Sequence, residues 1–210
     1  MASTFTKGKS RRAETYDRIS AWEERHGLLE WRQRLVADLS GDIVELGAGT
    51  GRNLPFYPAA ARVFASDRDP VMLERAKERA SVAGAEVHLF LADAQKLPFP
   101  SDSIDTVVIG LMLCSVSKQP VALAEVRRVL KPDGKLRFVE HVRDPKGGLL
   151  ARSQDFVNPV WRRVSGGCNM NRRTVEWVAE AGFTLRSEER FKMGLIPLLS
   201  PHVMAEATPS

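Results

Sequence analysis

Residues 42–53 read DIVELGAGTGRN, and this stretch decides the fold. A short apolar run ends at the acid Glu45, and Gly47, Gly49 and Gly51 follow at alternate positions. Glycine lets the backbone adopt positive φ values and come close to a ligand, because no side chain stands in the way. The pattern therefore predicts a first β-strand that turns sharply into a helix beside a ligand site.

The spacing of these glycines narrows the kind of ligand. Dinucleotide-binding folds place two residues before their third glycine, whereas only Thr50 intervenes here. A pyrophosphate group is therefore not the expected ligand. Free N–H groups at the start of the predicted helix favour an anionic group, and Glu45 at the end of the strand can accept hydrogen bonds from an ammonium group.

Two further predicted strands also end at an acid. Residues 62–66 lead to Asp67, and residues 87–92 lead to Asp93. Asp67 follows Gly47 by about twenty residues, which is where nucleotide-binding α/β domains place the acid that binds the ribose hydroxyls. Ligands of open parallel sheets bind at the carboxyl ends of the strands, and all three acids are therefore expected at that edge.

The composition is that of a globular domain. The chain has 210 residues, of which 43% are hydrophobic and 27% charged, and this suits one domain with a full-sized core. A formal net charge of +5 is modest, so that nucleic acid is not an expected partner. Cys114 and Cys168 do not make a disulfide framework, which favours a reducing cytoplasm. No apolar stretch predicts a transmembrane helix or a signal peptide; peripheral membrane contact and a monomeric or homodimeric state stay open.

Predicted strands and helices alternate along the chain, as in a parallel sheet that is covered by helices on both faces. Residues 1–10 are predicted to be disordered, and a single domain spans residues 11–208. Within it, residues 11–40 form N-terminal helices over the site, and residues 143–170 form an insertion with a broken helix and a loop. The other predicted strands are residues 104–110, 135–142, 183–188 and 201–207, and the other predicted helices are residues 70–83, 119–130 and 172–181.

The three acid-ended strands, in this order and spacing, resemble the class I S-adenosylmethionine-dependent methyltransferases. The resemblance implies an α/β fold, a Rossmann-like domain with a mostly parallel seven-stranded sheet and an antiparallel last strand between strands five and six. It implies S-adenosyl-L-methionine as the methyl donor, S-adenosyl-L-homocysteine as the product, and no metal. The residues that it places around the donor are Tyr16, Glu45, Gly47, Gly49, Gly51, Asn53, Asp67, Arg68, Met72, Asp93, Ala94 and Leu111.

Shorter motifs narrow the resemblance to the methyltransferase-like thiol methyltransferases. These motifs are GRNLPFYP at residues 51–58, LCSV at 113–116, FVEHV at 138–142, PVW at 159–161 and GCN at 167–169. The similarity implies transfer of a methyl group to a small molecule, with a thiol as the acceptor and the residue 143–170 insertion on the acceptor side.

Two departures from that family keep other acceptors open. Its animal members carry an N-terminal apolar segment that anchors them to membranes, and this sequence shows none. They also place an acid where Gly166 stands here. The alternatives are N-, O- or C-methylation of a lipid headgroup, phenol or quinone, and a catalytically silent cofactor-binding module. Methylation of a flipped nucleic-acid base is not expected, because the Asn/Asp-Pro-Pro-aromatic loop is missing after strand four.

Methyl transfer from a sulfonium requires that donor and acceptor are aligned, that water is excluded and that a nucleophile is presented. His141, with Glu140 beside it, stands at the carboxyl end of strand five and is the candidate base or orienter of the acceptor. A core histidine is the alternative. Cys114 and Cys168 are expected to pack as small apolar side chains. The aromatic candidates for lining an apolar acceptor pocket are Trp22, Phe156 and Trp161.

Overall fold

Seven strands form one sheet in this computed structural model, which describes residues 3–165, 167–194 and 196–210. The strands are β1 (Gly41–Leu46), β2 (Ala61–Asp67), β3 (Glu86–Leu91), β4 (Ile104–Gly110), β5 (Leu130–His141), β6 (Phe183–Lys192) and β7 (Pro201–Pro209). Their order across the sheet is β3-β2-β1-β4-β5-β7-β6.

The first five strands all pair in parallel, and β7 pairs antiparallel with both β5 and β6. The last strand of the chain is therefore inserted between the fifth and the sixth. This confirms the predicted seven-stranded, mostly parallel sheet with an antiparallel last strand.

Helices connect the parallel strands and cover the sheet. They are α1 (Ser3–Glu23), α2 (Leu29–Val36), α3 (Pro70–Ser81), α4 (Gln119–Val129), α5 (Gly148–Val164) and α6 (Thr174–Glu180). A π-helical turn, Glu24–Leu28, joins α1 to α2, and Gly27 breaks the helix there with a φ of 115°. Among the described helices, none has both the length and the apolar character that a membrane span requires.

Strand β4 shows how both faces of the sheet are buried. Val107 and Ile109 are fully buried in a cluster that contains apolar residues of α4 and α6. Val108, which points to the opposite face, is fully buried in a second cluster with residues of α2 and α3. Such a strand reads as a continuous apolar run because helices cover it on both sides.

The N-terminal helix is longer than the sequence predicted. Residues 3–10 were expected to be disordered, but they form the first turns of α1, which then continues to Glu23. No proline interrupts this stretch, and the helix therefore extends outward from the turns that pack on the glycine loop. Residues 1 and 2 lie outside the described part of the chain.

The segment after β5 is more regular than predicted, since α5 is one continuous helix with Pro159 inside it. A proline in a helix interior costs about 3 kcal/mol, and tertiary hydrogen bonds on its N-terminal side offset this cost. Gln154 is fully buried, and its Nε2 donates to the backbone oxygens of Val142, Met170 and Leu198 at 3.0–3.2 Å. Gly166, in the loop that follows α5, lies outside the described residues.

The sequence predicted a helix directly after the glycine turn, but the structure has no α-helix there. It is followed by a single 3₁₀ turn, Leu54–Phe56, with Pro55 in its first positions. Proline lacks the N–H group that a longer helix would need, and Pro55 and Pro58 together limit the segment to this turn. No α-helix N-terminus therefore faces the ligand site at this point.

Candidate active site

A cavity of about 620 Å³ opens at the carboxyl edge of the sheet. Its volume lies in the range of about 300–1,000 Å³ that is typical of small-molecule sites. One end is formed by the glycine turn and the ends of β2 and β3, and the other by the loop after β4 and the end of α5. The predicted donor-binding residues that line the cavity are Tyr16, Gly47, Gly49, Asp67, Arg68, Met72, Asp93, Ala94 and Leu111.

Two glycines of the turn leave room for the side chains of neighbouring residues. Gly47 has a φ of 67°, and a Cβ atom at this position would overlap the side chain of Met112. Gly49 has a φ of 57°, and a Cβ atom there would lie 3.4 Å from the hydroxyl of Tyr16. Both positions therefore need glycine for the backbone conformation and for the space between the turn and its neighbours.

Asp67 is built into the cavity wall by backbone hydrogen bonds. Its Oδ2 accepts from the N–H of Gly49 at 2.9 Å, and its Oδ1 accepts from the N–H of Asp69 at 2.8 Å. A carboxylate offers about four acceptor positions, so that Asp67 can still accept from a ligand's hydroxyl groups. The same acid thus fixes the glycine turn and presents a negative charge to the cavity.

Asp93 and Leu111 both line the cavity. Asp93 is exposed in the cavity and accepts from the backbone and side-chain N–H groups of Gln95 at 2.9 and 3.1 Å. Leu111 has a positive φ of 56°, and a hydrogen bond from its N–H to the oxygen of Val139 at 2.8 Å holds it there. Such strain costs a non-glycine residue about 1–2 kcal/mol, and it clusters at functional sites.

Glu45, Gly51 and Asn53 were predicted to contact the donor, but among the described residues they do not line this cavity. Glu45 shares its side of β1 with Ile43, which is the side that α2 covers. Its Oε1 accepts from Asn53 Nδ2 at 2.8 Å, and Asn53 Oδ1 in turn accepts from Arg32 at 2.8 Å. A Cβ atom on Gly51 would meet residues beneath the turn rather than the cavity.

Glu45→Gln is expected to stabilise the protein at neutral pH. Burial raises the pKa of Glu45 to about 7, although Asn53 and Arg32 offset part of the effect. In the unfolded chain this carboxyl ionises above its ordinary pKa of 4.5, whereas the folded chain keeps the proton up to about pH 7. The free energy of unfolding of the wild type therefore falls as the pH rises from about 4.5 to about 7. The amide of the Glu45→Gln variant removes this loss, which amounts to about 1–3 kcal/mol at about 1.4 kcal/mol per pH unit.

The measurement is urea unfolding of the wild type and the Glu45→Gln variant between pH 4.5 and about pH 7. Their free energies of unfolding should converge near pH 4.5 and separate toward neutral pH. Glu86→Gln is the control, since that side chain is largely exposed. A constant difference between the Glu45→Gln variant and the wild type at every pH would contradict the assignment.

Helix α1 is fastened to the glycine turn through one acid, Asp17. Its Oδ1 accepts from the hydroxyl of Thr50 at 2.7 Å and from Arg52 and Arg79 at 3.1 and 3.3 Å. Its Oδ2 accepts from Arg75 at 3.0 Å. Burial opposes ionisation, but the Thr50 hydroxyl and the three guanidinium groups outweigh it and lower the pKa of Asp17. The helix that carries Tyr16 over the cavity is therefore held by a charged contact.

Glu140, one of the two predicted catalytic residues, holds the loop that follows β4. It is fully buried, and its Oε1 accepts from the N–H groups of Met112 and Leu113 at 2.7 and 2.6 Å. Its Oε2 accepts from the N–H of Cys114 at 3.2 Å. Because both oxygens are engaged by the backbone, Glu140 positions this loop and does not face the cavity.

His141, the second predicted catalytic residue, lies in a cluster with both cysteines of the chain. Its Nδ1 is 3.7 Å from Cys168 Sγ, and Cys168 Sγ is 3.4 Å from Cys114 Sγ. Cys114 is buried and Cys168 is half-buried, and both are free thiols. The expectation that both pack as isolated apolar side chains therefore misses their contact with each other and with an imidazole.

Charges around this cluster favour an anion. The contact with Cys114 lowers the pKa of Cys168, and His141 acts in the same direction against partial burial. Burial opposes protonation of His141, but Cys168, Glu140 and Glu23 outweigh it and raise its pKa. The guanidinium of Arg172, which donates to the oxygen of Val116 at 3.1 Å, adds a second positive charge nearby.

The loop that carries Cys168 is locked onto the loop that carries Cys114. The N–H and the Nδ2 of Asn169 both donate to the oxygen of Cys114, at 3.0 and 2.9 Å. Asn158 of α5 donates to Asn169 Oδ1 at 3.1 Å and accepts from the N–H of Met170 at 2.9 Å. Three separate segments thus meet in a fixed arrangement at this point.

The cluster lies behind the end of the cavity that faces away from Asp67 and Asp93. Ser115, next to Cys114, lines that end, and Ser165, which also lines it, donates to the oxygen of Cys168 at 3.2 Å. The other lining residues at this end include Thr15, Ile19, Val116, Ser117 and Val164. Ser115 and Val116 belong to the LCSV motif of the sequence analysis, whereas Thr15, Ile19, Ser117 and Val164 were not among the predicted site residues, because they carry no charge and follow no motif spacing.

The three aromatic residues predicted to line an acceptor pocket are placed elsewhere. Trp22 packs beside His26, with 4.2 Å between the ring centroids. Phe156 is 86% exposed on α5, because it lies on the side of the helix that faces away from Gln154. Trp161 lies beside Cys168 with its indole nitrogen buried. None of the three is among the described residues that line the cavity.

Known proteins resemble the chain in sequence and in fold. Residues 44–138 match the family model of the methyltransferase domain. The thiol S-methyltransferase TMT1B of Rattus norvegicus is 35% identical over 192 residues, which are 82% of this chain and 74% of that protein. A phosphatidylethanolamine N-methyltransferase of Cereibacter sphaeroides is 34% identical over 125 residues, which are 57% of this chain and 62% of that protein.

Among solved structures, an S-adenosylmethionine-dependent methyltransferase of Thermotoga maritima has a TM-score of 0.71 at 21% identity, over 96% of this chain and 98% of that one. This likeness agrees with the sheet order and with the antiparallel last strand described above. The chain belongs to the class I S-adenosylmethionine-dependent methyltransferases, in the family that includes the thiol S-methyltransferases.

Proposed function

We propose that this enzyme transfers the methyl group of S-adenosylmethionine to the sulfur of a small thiol. The observation that carries the proposal is the cluster of Cys114, His141 and Cys168 behind one end of the cavity, with Arg172 nearby. This cluster offers two soft sulfur atoms beside the imidazole of His141 and the guanidinium of Arg172, which suits a thiol or thiolate better than a neutral amine or alcohol. The relative named as a thiol S-methyltransferase supports the same acceptor.

The residues at the other end of the cavity fit the donor. The free acceptor positions of Asp67 would hold the two ribose hydroxyls, and Asp93 would accept from the adenine amino group. Met72 and Leu111 offer apolar side chains between these acids. When bound, S-adenosylmethionine supplies a methyl group that is activated by its sulfonium sulfur. Gly47 and Gly49 leave room for the side chains of Met112 and Tyr16, which also line the cavity.

The acceptor end would admit small and weakly polar molecules. The side chains that line it from the loop after β4 and from α5 are those of Ser115, Val116, Ser117, Val164 and Ser165, and none of these is charged. No residue in this set could pair with the phosphate of a lipid headgroup. The role proposed for His141 is to orient the acceptor sulfur and to assist the loss of its proton, and the role proposed for Glu140 is to position the loop between the two ends.

His141→Ala is expected to lower kcat/KM about 10²–10³-fold for an alkyl thiol of high pKa, in the range of general acid–base effects. The loss should be about tenfold or less for an aryl thiol that is already ionised at neutral pH, because that acceptor does not need to lose a proton. The measurement is the initial rate of thioether formation for a series of thiols with graded pKa values. Donor affinity, measured by calorimetry, should not change.

His88→Ala is the matched control, since His88 is exposed on β3, where its side chain contacts Glu86 and the ring of Phe64 and does not line the cavity. It should leave the whole series unchanged. An equal loss for every thiol in the His141 variant would show that His141 supports the loop and does not act on the acceptor. Methylation of amines or phenols with no thiol turnover would overturn the proposed function while leaving the donor site intact.

A further inference from the structure

Three soft donor atoms converge behind the acceptor end of the cavity. Cys114 Sγ, Cys168 Sγ and His141 Nδ1 lie within 4.8 Å of one another. The two sulfurs are 3.4 Å apart, and Cys168 Sγ is 3.7 Å from Nδ1. In a tetrahedral zinc site, with Zn–S bonds of about 2.3 Å and Zn–N bonds of about 2.0 Å, neighbouring ligand atoms are about 3.5–3.8 Å apart. These two distances are close to those of a zinc ligand set, and the third pair, Cys114 Sγ and His141 Nδ1, lies within 4.8 Å.

The ligand atoms come from three segments that other contacts hold in place. Glu140 fixes the backbone at Cys114, and the same acid precedes His141 at the end of β5. Asn169 ties the backbone beside Cys168 to the oxygen of Cys114. A set that is fixed in this way loses little conformational entropy when an ion binds. It also resembles metal sites in which surrounding hydrogen bonds orient the ligands.

We propose that Cys114, His141 and Cys168 bind one Zn²⁺ ion and leave its fourth position for the sulfur of the acceptor thiol. Three protein ligands with one open position are typical of catalytic zinc, whereas structural zinc has four. Cys168 is the most exposed of the three residues, and Ser165 connects it to the cavity wall. The proposal places the open position on the side of the cluster where Ser115 and Ser165 line the cavity. The acceptor half of this inference rests on the proposed function.

The sequence gives no motif for such a site, and no metal was expected. Cys168 is separated from Cys114 by 54 residues and from His141 by 27. Zinc motifs are recognised by closely spaced pairs of ligands, and this chain has none at these positions. The parallel pairing of β4 with β5 places Cys114 near His141, and the hydrogen bonds of Asn169 bring Cys168 to them.

Zinc would also explain how the acceptor thiol is activated. When a thiol binds, its S–H bond breaks, the proton leaves to solvent, and a zinc–sulfur bond forms. A thiol that coordinates zinc is deprotonated outright, and the resulting thiolate is the nucleophile for methyl transfer. Zinc also prefers thiolate and imidazole ligands over phenols and alkyl amines, which would select for sulfur.

The direct test is titration of the metal-free, reduced protein with Co²⁺ as a spectroscopic probe. The chain contains only two cysteines, so that any sulfur-to-cobalt charge-transfer band reports Cys114 or Cys168. The expected result is one Co²⁺ per chain with this band and with the d–d bands of tetrahedral geometry, and one Zn²⁺ displacing it. No such band in a protein that still binds S-adenosylmethionine would overturn the proposal.

Variants assign the ligands. Serine is close in shape to cysteine, so that Cys168→Ser should fold at this half-buried site. It should weaken Co²⁺ binding by more than about 100-fold, because loss of a residue that only orients a ligand already costs about 10- to 100-fold. His141→Ala should do the same, and His88→Ala should bind as the wild type does. Zn²⁺ should also slow the alkylation of Cys168 in the wild type. Unchanged Co²⁺ affinity in folded Cys168→Ser would contradict the assignment.

Addition of a thiol acceptor separates the two proposals. A thiol should shift the Co²⁺ spectrum and add charge-transfer intensity, whereas an amine or phenol of similar size should not. A Co²⁺ spectrum that no thiol changes would overturn the open acceptor position. Full thiol methylation by the metal-free enzyme would overturn the zinc inference and leave the proposed function standing. A thiol-dependent Co²⁺ spectrum without methylation of any thiol would overturn the proposed function and leave the metal site standing.

Discussion

Asp67→Ala is expected to weaken S-adenosylmethionine binding by about 2–4 kcal/mol, or about 30- to 700-fold in Kd. Charge-assisted hydrogen bonds to the ribose hydroxyls account for about 1.5–3 kcal/mol of this. The rest arises because Asp67 also accepts from the N–H groups of Gly49 and Asp69, which fixes the turn that borders the donor end. The measurement is calorimetric titration of both proteins with S-adenosylmethionine.

A control from the same sheet makes this result specific. Asp42 lies at the opposite end of β1 and pairs with the half-exposed Arg62. Asp42→Ala should therefore leave donor affinity within about twofold of the wild type, since exposed ion pairs contribute about 0–1 kcal/mol to stability and nothing to the site. Equal Kd values for Asp67→Ala and the wild type, in a variant that is folded by circular dichroism, would remove Asp67 from the donor site.

Asp17→Asn is expected to destabilise the protein by about 2–3 kcal/mol at neutral pH. Removing one partner of a fully buried ion pair costs about 3–5 kcal/mol, and the loss is smaller here because the ion pairs of Asp17 are partly exposed. The variant leaves Arg52, Arg75 and Arg79 around an uncharged amide. Loosening of α1 should also expose it to proteases and weaken donor binding, since Tyr16 is carried over the cavity on this helix. Urea unfolding and limited proteolysis are the measurements.

The pH dependence gives the sign of the Asp17 effect. The pKa of Asp17 in the folded protein lies below its ordinary value of 3.8. Its contribution to stability is therefore present above that value and is lost as the pH falls through the folded pKa. The difference between the wild type and the Asp17→Asn variant should therefore hold from neutral pH to about pH 4 and shrink below it. Arg75→Ala, which removes one partly exposed partner, should cost less than half as much. Equal proteolysis of α1 in all three proteins would contradict this account.

Local sequence patterns could predict the sheet because its strands depend on neighbouring residues. The apolar run of β4 and the acids that end β1 to β3 are visible without tertiary information, and they correctly predict the edge where the cavity lies. Asp67 and Asp93 face that cavity as predicted. The position of these two acids could therefore be predicted from the sequence, since the consecutive strands β1 to β3 build this end of the cavity.

The rest depends on contacts between distant segments. Pro159 predicted a broken helix, but Gln154 reaches Leu198, 44 residues further on, and α5 remains continuous. Glu45 was assigned to the donor because it ends a strand, although strand alternation turns it toward Asn53 and α2. The contact of His141 with Cys168 likewise joins segments that no local pattern relates.

The measurement that tests the central claim most directly uses an acceptor with two competing nucleophiles. A mercaptophenol offers sulfur and oxygen, and cysteamine offers sulfur and nitrogen, within one small molecule that the acceptor end can admit. Incubation with deuteromethyl S-adenosylmethionine, followed by tandem mass spectrometry, shows which atom receives the label. The account predicts label on sulfur alone in both products, and label on oxygen or nitrogen with unmodified sulfur would contradict it.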